Sequence, residues 1–176
     1  MKTKAIKNYI KRHKVMLSIL AVVLIYLFWP IGTIINPVKH NGPNYDMHSF
    51  GQPWGDHLHG GIDIFADMDT PIRSASKGLV ISVRENYGFG GNTVSILGMG
   101  GRVYYYAHMN KILTKKWSFV DEGEVIGLVG KTGNANRPGC PPHCHFSIYS
   151  PIPHFSNGHS SLWFKIDPAK VIDNNK

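Results

Sequence analysis

Beyond residue 50, glycine and other turn residues stop every apolar stretch of this chain within eight residues. The stretches read GGIDIF, GLVISVRE, NTVSILGM, RVYYYAHM, EVIGLVG and HCHFSIY, with Gly, Asn, Asp or Pro between them. Their Val, Ile, Tyr and Phe suit a pleated, half-buried surface. Runs this short, without the sustained 3.6-residue period of a helix, read as strands. The expected fold is therefore an all-β domain over residues 50–172, a sandwich or open barrel of mostly antiparallel strands. A chain of 176 residues holds one such domain with its own core once an N-terminal segment is set aside.

That N-terminal segment has a different character. Residues 1–14 carry six Lys or Arg and no acid, and residues 15–29, VMLSILAVVLIYLFW, carry no charge. The uncharged run continues to Val38, and spanning a bilayer takes about 20 predominantly apolar residues. Basic flanks mark the cytoplasmic side. No small-x-small cleavage site follows the apolar core, which favours an uncleaved anchor over a removable signal peptide. The expectation is a basic cytoplasmic segment over 1–14, a transmembrane signal anchor over 15–35 and a polar, turn-rich linker over 36–49. The domain would then be held in the periplasm by a single-pass anchor in the cytoplasmic membrane.

The net charge of +8 says little about partners, because six of the nineteen basic residues lie in 1–14, leaving thirteen against eleven acids. Nucleic acid is not an expected partner, since no basic patch interleaved with aromatics is present.

Histidine spacing points to chemistry. In PPHCHFSIY, His143 and His145 are two apart and share one face of a strand, while Cys144 and Phe146 take the other. In HLHGGIDIF, His59 and Asp63 are four apart, but Gly60 and Gly61 oppose a helix and favour a turn entering a strand. His108 closes RVYYYAH, where alternation puts Tyr104, Tyr106 and His108 on one face. Taken singly, these are ordinary surface or core histidines, and the two tyrosines are core packing. Taken together they offer the three His and Asp donors of a catalytic zinc site, with two imidazoles to spare. A structural zinc site would use four protein ligands, whereas hydrolysis needs extra groups to move a proton and stabilise an oxyanion. Cys140 and Cys144 leave a local disulfide, free thiols and an accessory metal role open.

The ordered set HGGID, YYYAHM, GEVIGLVGKTGNA and PPHCHFSIY, followed by FKIDPAKVI, resembles the lysostaphin/LytM-like family of zinc metallopeptidases, which cleave the peptide part of bacterial cell walls. The resemblance covers roughly residues 50–170. It implies that Zn²⁺ is bound by His59, Asp63 and His145, that His108 and His143 are the catalytic pair, and that peptidoglycan stem peptides are the substrate. Three positions depart from the family's habit: His57 stands where Arg is common, Ser147 where Glu is common, and Cys144 where Leu is common.

Some members have lost ligands and act as activators of wall amidases. This chain retains all five positions, which favours a zinc-dependent endopeptidase of peptide cross-links. A lipoyl-like carrier is the other alternative, suggested by VDEGEVIGLVG, but Lys131 lacks that carrier's usual flanks. An anchored domain close to the membrane further suggests a DD-endopeptidase acting on D-alanyl–diaminopimelyl cross-links of a Gram-negative type wall.

Overall fold

A computed structural model describes residues 2–27, 32–39, 50–155 and 159–173. One helix, α1 (Lys2–Leu27), precedes fourteen strands. These are β1 (Ile34–Ile35), β2 (Pro53–Trp54), β3 (His57–Leu58), β4 (Ile62–Phe65), β5 (Pro71–Arg73), β6 (Gly78–Tyr87) and β7 (Gly91–Gly98). They continue with β8 (Val103–Ala107), β9 (Lys111–Ile112), β10 (Phe119–Val120), β11 (Val125–Leu128), β12 (His143–Tyr149), β13 (Lys165–Ile166) and β14 (Ile172–Asp173). The expected short, mostly antiparallel strands are there.

The large sheet runs in the order β10-β6-β7-β8-β12-β13, with β4 also paired to β12. A small sheet, β5-β11-β9, shares one apolar cluster with it. Ile72 and Ile126 of the small sheet join Ile62, Val94, Tyr106 and Phe146 of the large one. The buried hydroxyl of Tyr106 accepts a hydrogen bond from the Ala75 N–H at 2.8 Å, so the ring fills the core without stranding its polar end. Strand β12 sits at the centre of this arrangement. One flank pairs with β8, and the other pairs with β4 and then β13.

The N-terminal region differs from the expectation in two ways. Helix α1 ends at Leu27, so its uncharged part, Val15–Leu27, is thirteen residues. At 1.5 Å per residue that is about 20 Å, against a hydrocarbon core of about 30 Å. Among the described residues no helix is long and apolar enough to cross a membrane. Residues 28–31 of the expected span lie outside the described residues.

The end of that span belongs to the β domain. Ile34 and Ile35 form β1, which pairs in parallel with Ile172 and Asp173. Val38, expected in the linker, is fully buried and bridges to Ile72. Isoleucine and valine satisfy a lipid span and a strand equally well, and here a sheet edge takes them. The rest of the expected linker, 40–49, lies outside the described residues.

Candidate metal centre and active site

The HxH alternation carries through into three dimensions. Cys144 and Phe146 are fully buried on the core face of β12, while His143 and His145 face a cavity of about 470 Å³. Register does the rest, because His145 lies directly across from Asp63 of β4 and from Ala107 of β8. His59 reaches the same point from the turn before β4. The Gly60-Gly61 pair allows this by close passage of the chains. A Cβ at Gly60 would collide with Lys165 Nζ, and one at Gly61 with the Phe146 carbonyl and Ser147 Oγ.

Three donor atoms converge there. His145 Nδ1 lies 2.8 Å from Asp63 Oδ1, His59 Nε2 lies 3.2 Å from the same oxygen, and the two imidazole nitrogens are 3.0 Å apart. Donors around a tetrahedral ion at about 2.0–2.1 Å stand about 3.3 Å from one another, so the triangle is of the size one metal ion requires. Burial alone would raise the Asp63 carboxyl, but its hydrogen bonds to His145 and His59 outweigh that and hold it well below the usual carboxylate range. Burial lowers the pKa of His145 despite the opposing effect of Asp63. A carboxylate and a neutral imidazole are the forms in which Asp63 and His145 would ligate a metal. His59, Asp63 and His145 can therefore hold a divalent ion.

Beyond the ligand atom, Ser147 completes the seat of His145, with its Oγ 2.8 Å from His145 Nε2. Sequence marks Ser147 only as a departure from the family's glutamate; the distance shows what the serine touches.

His108 and His143 stand beside this triangle, ring centroids 4.8 Å apart. Each is fixed by a carbonyl, which can only accept. The Nδ1–H of His108 donates to Thr132 O at 2.9 Å, and that of His143 donates to Pro141 O at 2.9 Å. Nε2 is then the nitrogen available to the cavity in both. Burial, then the nearby His143 and His145, lowers His108 to about 4. His143 Nε2 lies 3.9 Å from Asp63 Oδ1.

The expectation that His108 shares a face with Tyr104 and Tyr106 does not hold. Both tyrosines are core residues, but His108 lies just beyond β8 with φ of 63°, which turns it to the cavity beside Tyr105. The left-handed backbone breaks the two-residue period.

The loop that holds His108 is built at two glycines. Gly91 (φ 63°) and Gly133 (φ 66°) pass so closely that a Cβ at Gly91 would strike Thr132 Oγ1. The two cysteines are both free thiols: Cys144 is in the core and Cys140 Sγ is 3.9 Å from His143 Nδ1. The cavity wall also includes Trp54, Phe89 and Arg137, which lie outside the quoted motifs, and Tyr105 and Lys165, which lie within YYYAHM and FKIDPAKVI without a role of their own there.

Comparison with known proteins gives a consistent outcome. The profile described as Peptidase family M23 matches residues 57–160. The L-Ala–D-Glu endopeptidase of Bacillus subtilis is 33% identical over 115 residues, covering 58% of this chain and 35% of that protein. The DD-carboxypeptidase/endopeptidase Mpg of Neisseria meningitidis is 37% identical over 102 residues, covering 58% of this chain and 22% of that protein. The solved structure of the antimicrobial peptidase lysostaphin from Staphylococcus simulans superimposes with a TM-score of 0.56 and 28% identity, covering 77% of this chain and 53% of that one. The chain thus spans about a third of the length of the first curated relative and about a fifth of the second.

Proposed function

Because this chain belongs to peptidase family M23, we propose that it is a zinc-dependent endopeptidase that hydrolyses the peptide cross-links of bacterial peptidoglycan. The observation that carries the reading is the convergence of His59, Asp63 and His145 on one point, beside two further histidines that open on the same cavity. When bound by those three residues, zinc would polarise the scissile carbonyl and lower the pKa of a water towards ~7.

The protein's own groups do the proton work. His108 is held neutral by burial and anchored through Nδ1, so it is suited to take a proton at Nε2 from the attacking water. His143 Nε2 lies 3.9 Å from Asp63 Oδ1 and faces the same cavity. When its ring carries both protons, Nε2 is positioned to donate towards the developing oxyanion and then to the leaving amine. The carbonyl of Thr132 keeps His108 in the tautomer that leaves Nε2 able to accept, and the carbonyl of Pro141 fixes the orientation of the His143 ring.

Within this class the reading is a DD-endopeptidase of D-alanyl–diaminopimelyl cross-links; the likeness to Mpg, whose name carries DD-carboxypeptidase and endopeptidase activity, supports the DD part of it. Its place of action would be outside the cytoplasmic membrane, in the periplasm. The basic first fourteen residues followed by an uncharged run support export of the domain.

Digestion of purified sacculi by the zinc-loaded full chain, followed by chromatography and mass spectrometry, tests the reading. Conversion of cross-linked dimers to monomers is expected. Release of intact stem peptides from the sugar strands would make the protein an amidase, and cleavage of pentaglycine alone would overturn the wall type. A zinc-loaded protein that cut nothing would overturn the enzyme reading in favour of an activator.

A further inference from the structure

The large sheet carries an apolar row on its solvent side. Phe119 of β10 stands directly across from Leu79 of β6, Leu79 from Leu97 of β7, Leu97 from Val103 of β8, and Val103 from Tyr149 of β12. Residues directly opposite one another share a face of the sheet. One step along these strands, Val120, Val80, Ile96, Tyr104 and Ile148 are buried in the core, so the row faces outward. Its β10 end is bare: Phe119 is 82% exposed and Trp117, two residues earlier, is 64% exposed. Trp117 has φ of 71°, a region that bulky side chains rarely adopt, and its N–H donates to Val80 O at 2.7 Å. The loop thus holds an indole out in solvent at a cost in backbone strain.

Around these rings the charges are positive. Residues 111–119 hold three lysines and no acid, Lys115 and Lys116 are exposed, and Lys116 Nζ lies 4.7 Å from the Trp117 ring centroid. The acids Asp121, Glu122 and Glu124 come only after Val120, and the Glu124 carboxylate accepts the Asp121 N–H at 3.0 Å within that turn.

Helix α1 reaches the same end of the sheet. It comes within 8 Å, Cα to Cα, of the Met99–Gly101 turn that follows β7. The chain after it enters the domain at Ile35, whose Cδ1 would stand 3.8 Å from a Cβ at Gly123, three residues past Val120. Val15, Ile19, Val22 and Ile25 of α1 are all exposed, and no carboxylate occurs before Asp46. Aromatic rings, lysines and an uncovered apolar helix together suit an anionic lipid surface. A sugar strand would use the rings and leave the helix bare, and a second copy would bring like charges together.

We propose that the Trp117–Phe119 edge of the β domain docks, together with the apolar part of α1, on an anionic phospholipid bilayer. Along β12, Tyr149 is four residues from His145, about 13 Å, and Phe119 lies four strands further along the row, about 19 Å. The bilayer therefore leaves the cavity open while fixing the orientation of the domain. The docking surface is separate from the peptidase site, so its failure would leave the endopeptidase reading untouched.

The test uses the full chain with vesicles of phosphatidylcholine alone or mixed equally with phosphatidylglycerol. On mixed vesicles containing a lipid brominated near its headgroup, the emission of wild type minus that of Trp117→Tyr isolates Trp117, and it should be quenched. Trp117→Ser with Phe119→Ser should weaken partition by about tenfold or more. Lys115→Gln with Lys116→Gln should weaken it by about tenfold on the mixed vesicles only, an effect that high salt removes. The helix is common to every variant, so these differences belong to the edge, and hydrolysis of soluble muropeptides should be unchanged.

Unquenched Trp117 on vesicles that hold the full chain, partition unaltered in both double variants, or no vesicle binding at all overturns the docking surface. Retention on sacculi that Trp117→Ser with Phe119→Ser abolishes, while vesicle binding stays the same, overturns it in favour of the wall polymer. A lipid-free dimer that the same variant dissociates, again with unchanged vesicle binding, overturns it in favour of a second copy.

Discussion

Replacing Ser147 by alanine should weaken zinc binding about tenfold. Ser147 is almost fully buried on β12, and its hydroxyl is 2.8 Å from His145 Nε2. Without metal, the Nδ1–H of His145 donates to Asp63 Oδ1 at 2.8 Å, and Nε2 accepts from the serine. With Nδ1 given to the ion, the proton moves to Nε2 and the serine becomes the acceptor of a charge-assisted bond. A neutral hydrogen bond contributes about 0.5–1.5 kcal/mol and one to a charged group about 1.5–3 kcal/mol. The metal-bound state therefore loses about 1–1.5 kcal/mol more than the metal-free state, which is about a factor of ten in Kd. Competition with a chromophoric chelator of known affinity measures that Kd, and denaturant unfolding of the metal-free protein measures the remainder. A Kd within twofold of wild type, together with a clear loss of metal-free stability, would refute the argument, because the hydroxyl would then support only the fold.

Asp63→Ala should abolish stoichiometric zinc binding by elemental analysis, since it leaves two protein donors. His108→Ala and His143→Ala should each retain zinc but lose about 10²–10⁴-fold in turnover on cross-linked muropeptides, the usual contribution of a general acid or base. The metal-free protein should also lose stability between about pH 6.5 and pH 4. His108 titrates near 4 when folded and near 6.5 when unfolded, so the unfolded chain gains a proton first as pH falls. The loss from His108 is at most about 3 kcal/mol, and His108→Gln should make the fall of denaturation midpoints across that window shallower, leaving the part due to His145, whose pKa burial also lowers.

The strand content was legible because glycine and turn residues bound every apolar run, and a period of two needs no tertiary help to be read. The same period placed His143 and His145 opposite Cys144 and Phe146. It failed at His108, where a positive φ ends the alternation one residue after β8. It also had no means of dividing the uncharged run between Val15 and Val38, because a helix, a membrane span and an edge strand all accept Ile and Val. Backbone hooks such as the carbonyls of Thr132 and Pro141 leave no mark in side-chain chemistry. Lys165 comes to the cavity through the pairing of β13 with β12 and Trp54 through the short β2–β3 pairing, and neither residue's type announces its place there.

The pairing of β1 with β14 makes the site of any proteolytic release consequential. A cut between Leu27 and Ile34 would free the β domain whole. A cut within 40–49 would instead carry Ile34 and Val38 away with the helix, although both are buried in the domain's core. Each such side chain contributes about 1.5–3 kcal/mol by burial. Their sum is comparable to a millimolar association, too weak to hold a severed peptide in place at cellular concentrations. The released domain would keep its five histidine and aspartate positions but would sit on an opened core, so a shed form cut there would be short-lived, whereas one cut ahead of Ile34 would persist.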